Sequence, residues 1–163
     1  MQLTALLSTL LVATTTTLTT AFPTTLHHRQ DQQTLRPLQI SDLTARTLSD
    51  LDFGLFNMTL YDPNTDSAPT ICNVNWHPTK PVPTSTTVKC YNNAYEVSFP
   101  AGLGSHIDRF TLRVQTTNTS SVQERGEVRL DASIEDTKWV CRNRTTEYIK
   151  QQCAYSGVLE IEI

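Results

Sequence analysis

The sequence predicts an all-β fold: a single compact antiparallel β-barrel or sandwich-like barrel of about nine to eleven short strands with two intrachain disulfides. Three observations support this prediction. Short segments of alternating apolar and polar residues recur between clusters of turn-forming residues. No segment has the periodicity of an amphipathic helix, apart from at most one turn around residues 44–51. The cysteines are even in number, which in a secreted domain predicts disulfides.

The alternation is clearest at Phe56, Met58 and Leu60, which face one side of a strand while Asn57 and Thr59 face the other. The first strand has unevenly spaced apolar residues, which indicates a bulge. Strands are also predicted in segments 38–45, 69–76, 88–92, 94–100, 109–115, 126–134, 139–143, 148–153 and 157–163. Alternation on one side only is typical of antiparallel sheets with one face in water.

The beginning of the chain has the pattern of a signal peptide. Residues 1–21 contain no charged side chain, include an apolar run too short to span a bilayer, and end in Thr19, Thr20 and Ala21. The alternatives for this segment are a short membrane anchor or a disordered tail. Residues 22–36 are predicted to be a flexible leader or pro-segment, and residues 37–163 the β-barrel domain. We therefore expect a secreted, extracellular protein with no membrane segment in its mature form.

The charge of the chain argues against binding to nucleic acid. The formal net charge is −3, and the sequence has no cluster of Lys and Arg residues. It also has no Gly-rich loop that would cradle a phosphate group. We expect no cofactor.

The cysteines have the spacing of a disulfide framework rather than of a zinc site. They are Cys72, Cys90, Cys141 and Cys153. A zinc site needs pairs separated by about two to four residues, and no such pair occurs, so we expect no metal. Four cysteines allow three pairings. We favour Cys72 with Cys90 and Cys141 with Cys153, because each pair flanks one loop between neighbouring strand segments.

Three Asn-x-Ser/Thr triplets are candidates for N-glycosylation, at Asn57, Asn118 and Asn143. Such triplets arise easily by chance in a Thr-rich chain, so an unused match is the alternative for each of them. Asn57 falls on the outward face of its predicted strand, Asn118 in a polar loop, and Asn143 just past a strand end. All three are expected to be exposed.

The search for catalytic groups finds one fragment, with Ser105, His106 and Asp108 in a short loop. Three side chains so close in sequence seldom converge as a triad, so we interpret this fragment as a loop. Carboxylates that could form a pair for glycoside cleavage are Asp50, Asp52, Asp62, Asp66, Glu135 and Asp136. Most of them lie in turns, where Asp is favoured for local hydrogen bonding. We expect no catalytic residues and no enzyme activity.

The order of these elements resembles the fungal secreted β-barrel family of the Alternaria major allergen, the Alt a allergen-like domain. The resemblance covers residues 37–163 and follows a leader ending in HHRQD. The segments that carry it are LQISDLTAR, DFGLFNMTLYD, TICNVNW, VKCYNNAYEVSFP, RFTLRVQ, WVCRN and QQCAYSGVLEIEI. It implies a compact antiparallel barrel whose cysteines pair in sequence order. It also implies a non-enzymatic allergen-like or effector-like protein that binds a thaumatin-like host defence protein or a small flavonoid-type phenolic.

The sequence departs from the family in one respect. The type member carries an extra cysteine near its mature N-terminus that links two barrels, whereas this chain has no cysteine before Cys72. We therefore expect a monomer without a covalent dimer. No ligand-binding residue is carried over, because the type member's ligand contacts rely on that dimer.

The leading hypothesis is an extracellular interaction protein that binds through loops 76–86 and 102–108. The proline-rich loop is partly pre-extended and loses less entropy on binding. The partner-binding candidates are Trp76, Pro78, Pro81, Pro83 and Tyr91. An alternative role for Trp76 and Tyr91 is packing at the barrel mouth. The alternative functions are a small-molecule carrier and an enzyme acting on cell-wall polysaccharide.

Overall fold

The described residues form ten strands in two antiparallel sheets, and no helix occurs among them. The structure is a computed structural model that describes residues 35–48, 50–117 and 123–163, all within one unit, Thr34–Ile163. The signal peptide predicted at 1–21 lies outside the described residues, as does the leader up to residue 34. The strands are β1 (Leu38–Leu48), β2 (Gly54–Tyr61), β3 (Thr70–Trp76), β4 (Thr87–Lys89), β5 (Tyr95–Ser98), β6 (Arg109–Thr116), β7 (Arg125–Asp131), β8 (Trp139–Asn143), β9 (Ile149–Tyr155) and β10 (Leu159–Ile161).

The first sheet has the strand order β3-β2-β1-β9-β8, and β10 also pairs with β1. The predicted bulge is confirmed, because the register of β1 against β2 shifts between Ser41 and Thr44. Asp42 lies in the shift with φ of 53°, a left-handed conformation that Asp tolerates better than most residues. Leu43 remains buried across the bulge. The helical turn considered for residues 44–51 is not formed, since β1 continues to Leu48.

The second sheet has the strand order β4-β5-β6-β7. Its inner face is apolar, with Val97, Leu112 and Val114 buried. Its outer face is charged, as the alternation predicted, apart from Ser98 and Asp131, two residues predicted to face outward that are buried. Asp131 is buried, although the alternation placed it outward, because its carboxylate accepts hydrogen bonds from the backbone and hydroxyl groups of Ser133.

An aromatic cluster fills the space between the two sheets. Phe56 of the first sheet contacts Phe99 and Phe110, with ring centroids 5.2 and 6.0 Å apart. Phe110 also packs against Trp139 at 5.6 Å, with the ring planes 87° apart. Edge-to-face pairs of this kind add about 0.5–1.5 kcal/mol each to the stabilisation that burial provides. The cluster therefore ties the two sheets together through their inner faces.

The sheets also approach each other along two seams. At the first seam, Cys72 of β3 forms a disulfide with Cys90, the residue after β4. The Tyr91 N–H donates to the Ile71 carbonyl beside it at 2.9 Å. At the second seam, Gly126 of β7 lies so close to Ile161 and the backbone of Glu162 that an added Cβ would overlap with them. The absence of a side chain at Gly126 allows this approach.

The predicted all-β class, the strand number and both disulfides are confirmed. The closed barrel is not formed. No strand ladder joins the two sheets among the described residues, so the fold is the sandwich-like alternative. The second disulfide, Cys141–Cys153, joins directly opposite residues of β8 and β9 within one sheet. No described segment forms a helix of the length and apolar character needed to cross a membrane.

We predict that replacing Cys72 and Cys90 together by Ala lowers the free energy of unfolding by about 3 kcal/mol. The bridge closes a loop with a sequence separation of 18 and also holds the edges of two sheets together. The matched control replaces Cys141 and Cys153 by Ala, which opens a loop of separation 12 inside one hairpin. Denaturant unfolding without reductant measures both. If the Cys72/Cys90 variant loses no more unfolding free energy than the Cys141/Cys153 variant, the role of Cys72–Cys90 in joining the sheets is contradicted.

Candidate functional site

Four chain segments meet at one end of the sandwich and form an open groove, which we call the loop-end groove. These segments are the β1–β2 turn, the proline-rich loop after β3, the β5–β6 loop and the β8–β9 hairpin. The groove consists of two adjoining cavities of about 1020 and 330 Å³, which share Ser105 and Lys150. Its other lining residues are Thr47, Leu48, Asp50, Leu51, Asp52, Pro78, Thr79, His106, Asn143, Arg144, Thr146, Glu147, Ile149 and Gln151. Both loops predicted to bind a partner therefore reach the same surface.

Asp52 holds the start of the proline-rich loop against the β1–β2 turn. Its carboxylate accepts hydrogen bonds from the Thr79 hydroxyl and, at 2.9 Å, from the Thr79 N–H. These bonds hold the pKa of Asp52 below its ordinary value. His77 Nδ1 lies 2.7 Å from the Asp52 carbonyl oxygen. The loop is thus positioned at its base by one acidic residue.

The β5–β6 loop is held by the two tryptophans of the first sheet. The Trp76 indole donates to the Gly104 carbonyl at 3.0 Å, and the Trp139 indole donates to the Ile107 carbonyl at 3.2 Å. Trp76 is only 4% exposed, and its ring crosses the face of Gly54, where an added Cβ would overlap with it. The side chain of Trp76 therefore packs against the framework and presents almost no surface to a partner.

The remaining partner-binding candidates lie in two separate places. Pro81 and Pro83 are exposed in the proline-rich loop, and Pro78 is half-buried in the groove wall. The Val82 N–H between them donates to the Leu103 carbonyl at 2.8 Å, which joins the two predicted binding loops. Tyr91 is 72% exposed but lies beside Ile71, toward the opposite end of β3. It is therefore not part of the groove.

Charged side chains of both signs line the groove. Arg144 and Glu147 line the larger cavity. Asp50 and Asp52 line the smaller one, next to the exposed side chain of Leu51. Lys150 lines both cavities and therefore lies between the two sets of charges.

The Ser105, His106 and Asp108 fragment is an exposed loop in the structure. His106 Nδ1 lies 3.8 Å from Asp108 Oδ1, which is beyond hydrogen-bond distance, and the His106 side chain is largely exposed. Asp108 also faces Arg109 at 3.6 Å. Ser105 lines both cavities of the groove. The loop therefore contributes surface to the groove.

An interacting pair of carboxyl groups occupies the opposite end of the sandwich. Asp62 and Glu124 are both buried, and the Tyr95 hydroxyl donates to Asp62. Burial and the neighbouring Asp62 raise the pKa of Glu124, and the two carboxyl groups share a hydrogen bond. Glu124 Oε2 has no hydrogen-bond partner in the part of the chain that is described. Burial and the bond to Asp62 likewise raise the pKa of Tyr95.

This pair was not predicted. Asp62 was a candidate, but Glu124 was not, because it stands more than 60 positions away and only the fold brings the two carboxyl groups together. Glu124 precedes β7 in a polar segment that has no apolar periodicity to indicate burial. No local signal in the sequence could have identified it.

The glycosylation candidates differ in their surroundings. Asn57 is exposed on the outer face of β2, as predicted, and its side-chain amide donates to Asn73 of β3. Asn143 is exposed at the end of β8 and lines the groove, next to Arg144 with φ of 47°. Asn118 lies outside the described residues.

We predict that Glu124→Gln changes how stability depends on pH. The raised pKa of Glu124 means that its stabilising contribution is present below its ordinary pKa of 4.5 and is lost as pH rises through the raised value. The Gln amide still donates to Asp62 and does not titrate. As pH rises above 4.5, the variant should therefore lose less stability than the wild type, by up to about 1.4 kcal/mol per pH unit where Glu124 titrates.

The matched control for this measurement is Glu127→Gln. Hydrogen bonds from Arg125 and Arg113 lower the pKa of Glu127, so its contribution is present above its ordinary pKa and is lost as pH falls through the lowered value. The change of unfolding free energy with pH should thus differ from that of the wild type above pH 4.5 in Glu124→Gln and below pH 4.5 in Glu127→Gln. Denaturant unfolding at each pH measures both. If the unfolding free energy of Glu124→Gln depends on pH in the same way as that of the wild type, the raised pKa of Glu124 is contradicted.

Comparison with known proteins gives a match among solved structures. No protein-family model matches the chain, and no curated protein matches it. Among solved structures, it is similar to the crystal structure of the Alternaria alternata major allergen Alt a 1. The two are 13% identical, the match covers 77% of this chain and 89% of that chain, and the TM-score is 0.48. A likeness at this level does not assign the chain to a family, so membership stays a prediction from the sequence.

Proposed function

We propose that this chain is a secreted, non-enzymatic interaction protein that binds its partner in the loop-end groove. The observation that carries the proposal is the joining of the two predicted binding loops, through the Val82 N–H and the Leu103 carbonyl, at one surface. The groove walls are held by the indoles of Trp76 and Trp139 and by Asp52. A surface held in this way loses little conformational entropy when it binds.

Secretion is supported by the sequence and by the cysteines. All four cysteines are paired in the fold, and disulfides persist in oxidising compartments such as the extracellular space. Residues 1–21 have the composition of a signal peptide. The mature chain then begins within or after the leader at 22–36.

The resemblance of element order and cysteine placement to the Alternaria allergen family suggests the partner class. On that resemblance, the partner is a thaumatin-like host defence protein, and the chain acts as an allergen-like or effector-like protein. The groove carries charges of both signs, which favours a protein partner, because a polar loop can pair with Lys150 and Arg144 and also with Asp50.

A small phenolic ligand is the second candidate, and it would also have to bind in the groove. Phe56, Phe99, Phe110 and Trp139 occupy the space between the sheets, which leaves that interior packed by the protein's own side chains. Thermal shift with a flavonoid tests this candidate. No change in Tm at saturating ligand would count against it.

We predict that replacing Pro78, Pro81 and Pro83 together by Ala weakens partner binding at least about tenfold. Each Pro→Ala change gives the unbound loop more conformational freedom, and losing that freedom on binding costs about 0.4–1 kcal/mol of free energy. A cost of about 1.4 kcal/mol corresponds to a factor of ten in Kd. Surface plasmon resonance against an immobilised plant thaumatin-like protein measures the effect. The matched control is Pro69→Ala, an exposed proline at the opposite end of β3.

A second variant keeps this test informative if the prolines matter only for loop shape. Lys150→Ala removes a cationic group shared by both cavities without changing the backbone. The variants' Tm values must remain close to that of the wild type. Undiminished binding by both the triple proline variant and Lys150→Ala would exclude the groove as the binding surface.

A further inference from the structure

The outer face of β2 and β3 carries a small patch centred on Asn57. Asn57 and Thr59, two positions apart, lie on this face and stand opposite Asn73 and Ile71 of β3. Ile71 is 43% exposed, and the neighbouring Tyr91 is the most exposed large hydrophobic residue in the described part of the chain. The acceptor and the hydroxyl residue of one Asn-x-Thr triplet thus share a face with two exposed apolar side chains.

A chain of hydrogen bonds fixes Tyr91 beside Asn57. The Tyr91 N–H donates to the Ile71 carbonyl at 2.9 Å, and Asn73 Nδ2 donates to the Tyr91 hydroxyl at 3.3 Å. Asn73 Oδ1 in turn accepts from Asn57 Nδ2. The tyrosine is therefore held at both ends, and its ring extends along the edge of β3 from Ile71 to Asn73. Neighbouring strands lie about 4.8 Å apart, and the strand β3 lies between Asn57 on β2 and the Tyr91 ring.

We propose that Asn57 carries an N-linked glycan whose first sugar packs on the Tyr91 ring. A pyranose ring presents C–H groups on one face and hydroxyl groups at its rim. The exposed face of Tyr91 can contact the C–H groups. The Thr59 hydroxyl, which donates to Asp42 Oδ2 at 3.2 Å, can still accept a hydrogen bond from the rim. The sugar would cover Ile71 and Tyr91, which otherwise remain exposed to water.

The modification is a transfer of sugar to the side-chain amide. Asn57 Nδ2 attacks C1 of the first sugar in a lipid pyrophosphate-linked oligosaccharide, which the secretory pathway supplies. The Nδ2–C1 bond forms, the bond from C1 to the pyrophosphate oxygen breaks, Nδ2 loses one proton, and the lipid pyrophosphate leaves. The amide retains one N–H after transfer. That N–H can maintain the hydrogen bond to Asn73.

The position of Asn57 is compatible with binding in the loop-end groove, whereas that of Asn143 is not. Asn143 lines the larger cavity, so a glycan there would occupy the proposed binding surface. Asn57 lies on the outer face of the first sheet and is not among the groove's lining residues. The glycan also explains the exposure of Tyr91 without making it a partner anchor.

The first test maps glycan occupancy on protein secreted from a eukaryotic host. Peptide mass spectrometry after enzymatic deglycosylation should find Asn57 occupied in the wild type and not in Thr59→Ala, which removes the triplet but keeps the bond between Asn57 and Asn73. Asn143→Gln should leave the Asn57 glycan in place. An unmodified Asn57 in correctly folded wild-type protein would overturn the proposal.

The second test asks whether the first sugar contacts Tyr91. Trimming the glycan to one sugar should preserve a rise in Tm of about 2–4 °C relative to wild-type protein produced without glycan in a bacterial host. Thr59→Ala is not the reference here, because it also removes the hydrogen bond from Thr59 to Asp42. It should also preserve ring-current shifts of the sugar protons in NMR spectra. Tyr91→Ala should abolish both effects, whereas Tyr148→Ala, at another exposed tyrosine, should not. Unchanged sugar shifts in Tyr91→Ala would overturn the contact, and neither test depends on partner binding.

Discussion

The covalent join between the two sheets at Cys72–Cys90 is the constraint on which the rest of the structure depends. The chain crosses from the first sheet to the second between β3 and β4, and the proline-rich loop forms that crossing. Without the bridge, the three-residue strand β4 would be held by its ladder with β5 and by a few noncovalent contacts with β3, such as the hydrogen bond from Tyr91 to Ile71. The bridge attaches the far end of the loop to β3. This confines the loop, whose residues Pro78 and Thr79 line the groove. The bridge therefore contributes to the position of the loop relative to the first sheet.

The groove is rigid because its walls belong to the packing of the core. The indoles of Trp76 and Trp139 come from the first sheet, yet their N–H groups donate to carbonyls of a loop that belongs to the second sheet. A buried indole N–H without a partner would cost about 1–3 kcal/mol, so opening the loop is opposed by the same groups that fill the interior. Leu103 and Ile107 of the loop are themselves fully buried. The loop-end groove and the packed core are therefore held by the same residues.

Period-two alternation was enough to predict the strands, their inward faces and the bulge in β1, because each of these depends on local pattern and burial. The pairing of cysteines followed from loop length. Closure was not predictable, since whether the edge strands of the two sheets pair or remain apart depends on contacts between distant residues, such as that of Gly126 in β7 with Ile161 in β10. The burial of Trp76 and the pairing of Asp62 with Glu124 depend on distant residues. No local pattern in the sequence indicates them.

The outer faces of the two sheets explain why a partner would approach the loop end. On the second sheet, Arg113 and Arg125 both contact Glu127, at 2.6 and 3.1 Å, and Arg129 contacts Asp131. Charges that are already paired within the sheet gain little from a partner and would lose hydration on burial. The outer face of β2 and β3 is the one that we assign to a glycan. The loop-end groove combines charges of both signs with a fixed backbone, and these are the properties that give a protein interface its specificity.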